Sequence, residues 1–287
     1  MEARGHPGHG EGQIGMSRTW FITGAGRGFG MEFAQAALGR GDQVAATARD
    51  TEALAGLVEK YGDAVLPLAL DVTDREAVVA AVAATEERFG ALDIVVNNAG
   101  YGLFGAIEEV SAEQFRRQLE VNVLGPFHVT QAVLPILREQ GHGHIIQISS
   151  IGGVAAFPLL GTYHASKWGL EAFSESLAQE VAGFGIKVTL VEPGAYGTDW
   201  GGSSAVRAEA QPPYQPVRDA MVAATADMPQ YDPAHVGAAI LAVADAAEPP
   251  LRVFFGSAPL DIAEQVYASR LRTWRDGAGI SVLAEGR

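Results

Sequence analysis

Tyr163 and Lys167 stand four residues apart in Tyr163-His164-Ala165-Ser166-Lys167, a spacing that puts both side chains on one face of a helix. A free phenol has a pKa of about 10, too high for easy proton exchange at neutral pH, and a nearby ammonium stabilises the phenolate and lowers it. The pair could therefore give and take a proton. Such pairs also decorate helix surfaces, so the weight falls on their company. Ser149-Ser150 follows the apolar run HIIQI, Asn97-Asn98-Ala99-Gly100 closes another, and Asn122 sits in Val121-Asn122-Val123.

A second constellation binds rather than reacts. The run TWFIT leads into Thr23-Gly24-Ala25-Gly26-Arg27-Gly28-Phe29-Gly30, and a helical MEFAQAALGR follows. Missing side chains let a backbone approach a pyrophosphate, and the free N–H groups and positive end of the next helix receive its charge. The spacing is TGxxxGxG, because Phe29 and Met31 stand where GxGxxG would need glycine. A tight strand-to-helix turn is the plainer alternative. Further on, Ala46-Thr47-Ala48-Arg49-Asp50 places Ala48 where an acid would meet a ribose 2′-hydroxyl, with Arg49 beside it. Arg27 and Arg49 would suit a 2′-phosphate, which points to NADP(H), unless both are solvated surface charges. Asp50 reads better as a helix cap. Asp71-Val72 could set a carboxylate beside an adenine edge or simply make a turn.

Both constellations need a scaffold that alternates strand and helix. Runs at 19–23, 43–47, 64–70, 93–98, 144–149, 187–193 and 252–255 are nearly continuous in apolar residues, as strands covered on both faces are. Helical stretches near 28–40, 51–60, 74–89, 111–139, 162–183, 233–246 and 259–274 separate or follow them, several opened by Asp, Ser or Thr. The expected fold is a single Rossmann-like, doubly wound α/β domain, with a seven-stranded parallel sheet flanked by helices on both faces. The expected boundaries are a flexible tail at 1–17, the domain at 18–276 and a C-terminal tail at 277–287. The Gly-, Pro- and polar-rich stretch 197–230 breaks the rhythm and reads as a lid rather than a disordered insert.

Composition removes other classes. The 287 residues carry 48% apolar and 19% charged side chains, which is globular and not disordered. A net charge of −14 would repel nucleic acid. No cysteine is present, so thiolate chemistry and cysteine-ligated metals drop out. No apolar run reaches the roughly 18 residues of a membrane span, and the first residues lack a secretory pattern. A cytoplasmic location fits. His6 and His9 lie on a glycine-rich tail, where solvated histidines are the usual case, and no metal site is expected.

Taken together, TGxxxGxG, Asn-Asn-Ala-Gly, the internal Asn122, Ser150 and YxxxK resemble the short-chain dehydrogenase/reductase family over about 19–260. The resemblance implies hydride transfer between a nicotinamide and a carbonyl or secondary alcohol. It makes Tyr163 the acid/base, Lys167 its pKa-lowering and ribose-binding partner, Ser150 the group that polarises the carbonyl, and Asn122 the holder of a structural water. It assigns the coenzyme to Thr23, Gly24, Arg27, Gly28, Phe29, Gly30, Arg49, Asp71, Val72, Asn98, Ala99 and Gly100. Tyr163, Lys167, Pro193, Gly194 and Thr198 complete that surface, with Thr198 at the carboxamide. Phe29, often aliphatic in the family, and Trp168, usually small, depart from the pattern without removing a reacting group.

The same resemblance places Tyr101, Leu103, Phe104, Phe157, Leu159, Leu160, Tyr196 and Trp200 around the substrate. An apolar, aromatic pocket for a bulky lipophilic ketone or aldehyde is the expectation, and the likeness of VEPGAYGTDW to steroid- and retinoid-acting members agrees with it. Those residues could instead seal the core. Helices 111–139 and 162–183 pack between subunits in the family, implying a homodimer or homotetramer. A non-catalytic NADP-binding regulatory or scaffold protein is the competing class. A longer epimerase or dehydratase type is disfavoured by the glycine spacing and by the lack of a large C-terminal substrate domain.

Overall fold

The computed structural model describes residues 17–198, 200–202, 204–226 and 228–286. Of the expected N-terminal tail at 1–17, residues 1–16, with His6 and His9, lie outside the described residues. Strands and helices alternate from the start: β1 (Thr19–Ile22), α1 (Gly28–Gly39), β2 (Gln43–Ala48), α2 (Ala55–Tyr61), β3 (Val65–Ala69), α3 (Arg75–Phe89) and β4 (Ile94–Asn97). After a two-residue β5 (Leu103–Phe104) come α4 (Ala112–Leu119), α5 (Gly125–Gln140), β6 (Gly143–Ile148), α6 (Gly161–Val181) and β7 (Ile186–Pro193). Then follow β8 (Val206–Arg207), α7 (Gln215–Thr225), α8 (Val236–Asp245), β9 (Arg252–Phe255), α9 (Ala258–Asp276) and α10 (Ala278–Ala284).

The strands order as β3-β2-β1-β4-β6-β7-β9, all parallel, so the chain reverses its direction of travel between β1 and β4. Carboxyl ends of strands at such a reversal form a crevice. Two separate apolar layers cover the sheet. On one face Phe33, Ala37 and Ile240 from α1 and α8 pack on Trp20, Ile22 and Ile146. On the other, Val82, Val133 and Leu177 from α3, α5 and α6 pack on Phe21, Val95 and Ile145. The seven strand runs and the double-sided helix cover agree with the sequence reading.

Three elements differ from it. The expected single helix 111–139 is two helices joined by a π-helical turn at 120–124. Pro126 supplies the reason, since it has no N–H to continue the ladder onto residue 122. Residues 278–284 form α10 within the stretch expected to be a tail. The stretch 197–230 is structured in part: β8 pairs with β5, and α7 is tied back through Glu109, which accepts from the backbone of Ala106 and Gln211, both at 2.7 Å, and from Arg218. Two-residue strands carry no periodicity, so the small β5–β8 sheet was not visible beforehand. No described helix is long and apolar enough to cross a membrane.

Candidate active site

The glycine loop is built by omission. A Cβ on Gly30 would collide with the carbonyl oxygen of Gly24 and come within 2.6 Å of Asn98 Nδ2, so the first turn of α1 can lie against the end of β1 only because that side chain is absent. Gly24 has φ +67°, in the left-handed region where glycine is at ease. No side chain caps α1 and no acid lies in its first turn, which leaves its N–H groups available to an anion.

The Asn-Asn-Ala-Gly segment holds this loop from behind. Asn98 Nδ2 donates to the carbonyls of Thr23 and Gly24 at 2.9 and 3.1 Å. Thr23 Oγ1 accepts from the backbone N–H of Asn98 and Ala99 at 2.9 and 3.0 Å. Thr23 Oγ1 and Asn98 Nδ2 are therefore spent on the loop itself.

Arg27 and Arg49, at the loop and after β2, are exposed, and neither side chain has a hydrogen-bond or ion-pair partner among the described residues. Asp50 caps the following turn, accepting from Glu52 N at 3.0 Å. Asp71 is committed to a turn and an ion pair, accepting from Thr73 N and Oγ1 and from Arg117 Nη2 at 3.0, 2.7 and 3.0 Å. Hydrogen bonds from Thr73 and Arg117 outweigh its burial and hold the carboxyl below its ordinary range. Val72 is buried and fills the space left by Gly125.

Tyr163, Ser150, Lys167 and Asn122 converge at the ends of β4 and β6. Asn122, inside the π-helical turn, is fully buried. Its Oδ1 accepts from Tyr101 N at 3.1 Å, while Nδ2 donates to Tyr101 O at 3.0 Å and Ser166 Oγ at 3.1 Å. Ser166 Oγ in turn donates to Tyr163 O at 2.7 Å, so the turn and α6 are fastened together. Lys167 Nζ donates to the Ile148 carbonyl at 2.8 Å, and Gly100, whose Cβ would lie 3.2 Å from Asn122 Oδ1 and 3.8 Å from Nζ, leaves room for both. Ser150 Oγ accepts from Gly152 N at 3.0 Å.

Burial, rather than the lysine, governs the tyrosine. Only 4% of Tyr163 is exposed, and burial pushes its hydroxyl up to about 12, with the Ser150 hydrogen bond pulling the other way. Lys167 Nζ lies 5.9 Å from the centre of the Tyr163 ring while it is bonded to Ile148. Burial lowers Lys167 itself to about 8.

Of the five aromatic residues expected around the substrate, the structure gathers some and separates others. Trp200 lies 5.0 Å from the Tyr163 ring and 5.2 Å from Phe104, against the bare backbone of Gly102. Phe157 reaches the same centre through His164, at 5.5 Å, which stands 5.8 Å from Tyr163. Tyr101 touches the site through its backbone, as described. Tyr196 instead packs on Phe29 and Tyr231 at 4.9 and 5.3 Å, on the side of the glycine loop. Leu159 has φ +64°, unusual for a residue with a side chain, and its carbonyl accepts from Gly105 N at 2.8 Å. Gly194 donates to Phe255 O at 2.9 Å, and Thr198 Oγ1 accepts from Trp200 N at 3.3 Å.

The sheet order, the glycine loop at its switch point and this convergent set define an oxidoreductase domain, and the chain belongs to the short-chain dehydrogenase family. A family model for short-chain dehydrogenases matches residues 18–207. The oxidoreductase BOA17 of Botryotinia fuckeliana is 43% identical over 268 residues, spanning 91% of this chain and 98% of that protein. A short-chain dehydrogenase from Streptomyces avermitilis superposes with a TM-score of 0.88 at 39% identity, covering 94% of this chain and 99% of that one. A Burkholderia cenocepacia member in complex with NADP (TM-score 0.72, 25% identity, 90% and 95% covered) and a Burkholderia phymatum member in complex with NAD (0.74, 28%, 86% and 92%) show that solved relatives hold either coenzyme.

Sequence reasoning missed three features of the site: the Ile148 carbonyl that holds Lys167, the buried His164 whose ring nitrogens have no partner among the described residues, and a carboxyl pair, Glu171 and Glu192. The last left a trace. Glu192 follows the apolar pair Leu190-Val191 in a strand, and Glu171 follows Lys167 by four.

Proposed function

We propose that the protein is an NADP(H)-dependent oxidoreductase that reduces a bulky, lipophilic ketone or aldehyde to the alcohol. The observation that carries this reading is the convergence of Ser150, Tyr163, Lys167 and Asn122 beneath the Trp200 and Phe104 rings, beside a glycine loop with a free helix start. The cradle that a Cβ on Gly30 would destroy fits a pyrophosphate. Arg27 and Arg49, exposed and with no side-chain partner among the described residues, fit a 2′-phosphate and favour NADP(H) over NAD(H). The bound nicotinamide would supply the hydride to the carbonyl carbon.

This chain's residues then manage the oxygen. Ser150 and Tyr163 donate to it as negative charge develops, and Tyr163 releases its proton to the forming alkoxide. A hydroxyl pushed up to about 12 enters that step protonated at neutral pH, as a proton donor must. Lys167, cationic below about pH 8, balances the phenolate left behind. Trp200 covers Tyr163, so a substrate must displace or stack on an indole, and the stretch 197–230 acts as the lid. The exposed Leu124 of the turn at 120–124, Phe127 of α5 and Trp168 of α6 support a homodimer or homotetramer through these helices.

Binding of NADPH and NADH to the purified protein by calorimetry tests the coenzyme. NADPH is expected to bind more tightly, and equal affinities would overturn that part. Consumption of NADPH is then followed with hydrophobic ketones, aldehydes and hydrophilic sugars. Faster saturated turnover on sugars would overturn the lipophilic assignment. Light scattering of the purified protein tests the assembly, and a monomer mass would reject it.

A further inference from the structure

One turn of α6 beyond Lys167, the chain buries two carboxyls. Glu171 exposes 6% of its surface and Glu192, on β7, only 1%. Arg252 of β9 serves both, its Nε lying 3.0 Å from Glu171 Oε2 and 3.5 Å from Glu192 Oε1. The same guanidinium is also drawn outward, with Nη2 2.8 Å from Oε2 of the half-exposed Glu175. Oε1 of each buried carboxyl accepts no hydrogen bond among the described residues. Ser149 Oγ is equally unpartnered, and it shares with Glu171 Oε1 the space that a Cβ on Gly153 would occupy, at 2.7 and 2.9 Å from it.

Two buried carboxylates cannot both stay charged against one shared arginine without a further positive charge. Lys167, buried one turn before Glu171 on the same face of α6, is the candidate. We propose that Glu171 and Glu192, anchored by Arg252, exchange one proton with Lys167 and thereby decide whether it is cationic, making them positioning residues for the proton step at Tyr163.

Every element packed on the group fits this account. From α6 come Lys167, Glu171 and Glu175, from β7 Glu192 and from β9 Arg252, whereas the end of β6 offers Ser149 and the turn at 120–124 offers Asn122, both uncharged. Burial lowers Lys167 to about 8 while Glu171 draws it back up. Burial, with the neighbouring Glu171 carboxylate, raises Glu192 to about 8. Groups that titrate in one range and interact lose their protons as a set.

The inference takes the place of Lys167 in the proton step from the function proposed above, but its test needs neither coenzyme nor substrate, so the two can fail separately. The sequence has only three lysines, Lys60, Lys167 and Lys187. Selective ¹³Cε labelling of lysine therefore lets the charge on Lys167 be followed by NMR across pH, with the other two as internal references. The wild-type curve is expected to be broadened by coupling. Glu192→Gln should sharpen it to one step at lower pH. Glu171→Gln should lower its midpoint by on the order of one pH unit, and Glu171→Asp, which keeps the charge, should stay close to wild type. Glu192→Gln carries the same test if Glu171→Gln does not fold. A single-step wild-type curve that the glutamine substitutions leave in place, or a Glu171→Asp midpoint displaced as far as that of Glu171→Gln, overturns the proposal.

Discussion

At the junction of β1 and α1 the chain leaves side chains out, whereas at the junction of β6, α6 and β7 it puts ionisable ones in. The first region consists of glycines, of backbone carbonyls clamped by Asn98, and of arginines held out in solvent. The second packs Tyr163, Lys167, Glu171 and Glu192 into a space where each is more than nine-tenths buried. Burying a charge is costly unless it is paired, so the second region depends on partners supplied from distant strands. The comparison separates two kinds of function. A binding surface can be made of absent atoms, but proton chemistry needs groups whose protonation the fold has displaced from its solution value.

The largest expected effect falls on the second region. Tyr163→Phe removes the hydroxyl alone and should lower turnover by about 10²–10⁴-fold, with coenzyme affinity and thermal midpoint unchanged. Equal losses in binding and turnover, measured on one preparation, would erase the distinction between the two regions.

Gly30→Ala strikes the first region. The added methyl meets the Gly24 carbonyl, and the resulting overpacking should cost about 2–3 kcal/mol. Scanning calorimetry should show a midpoint lower by roughly 5–10 °C, together with weaker coenzyme binding. An unchanged midpoint would mean that the loop can rebuild around a side chain.

A third contrast concerns pH. His144, on β6, is held neutral down to about pH 4 by burial and then by the nearby Lys187 and Arg18 charges, and its Nε2 pairs with Thr189 Oγ1 at 2.9 Å. Its folded value lies below the ordinary 6.5, so between the two the unfolded chain binds the extra proton. The histidine's contribution is full above pH 6.5 and is lost as pH falls toward 4. Glu192 runs oppositely: raised from 4.5 to about 8, it contributes fully below 4.5 and loses that contribution as pH rises through 8. His144→Gln, whose amide can keep the Thr189 contact, should flatten the acid side by about 2 kcal/mol between pH 5 and 7. Unfolding in denaturant at both pH values measures it, and parallel curves for variant and wild type would remove His144 as the cause.

The smallest effect is expected from the exposed arginines. Arg27→Ala and Arg49→Ala should each lower the NADPH-to-NADH affinity ratio by about tenfold and leave the melting temperature unaltered. A change in stability would show that these side chains belong to the fold as well as to the ligand.

Much of the first region was legible in the chain. Glycine spacing between a strand and a helix, the cap at Asp50 and the covered apolar strands are short-range properties, and all three appear in the structure. Ser150, Asn122, Tyr163 and Lys167 were also picked out, and the strand ends bring them together. Tyr196 was harder to place. Its neighbour in space is Phe29, more than 160 residues earlier, and no local pattern joins the two. The sequence allows Asp71 two roles, and its bonds to Thr73 and Arg117 commit it to a turn.

Periodicity and glycine spacing by themselves determined the parallel α/β architecture, the phosphate-ready turn and the Tyr163–Lys167 face, because each depends on backbone conformation or on residues within a few positions of one another. Only the tertiary structure decided that Trp200 covers Tyr163, that the phenol is raised by burial, and that Lys167 shares its seam with Glu171, Glu192 and Arg252. Those are properties of strand order and enclosure. A charge's partner and its distance from water are set by which strands become neighbours, and parallel crossovers make neighbours of residues far apart in the chain.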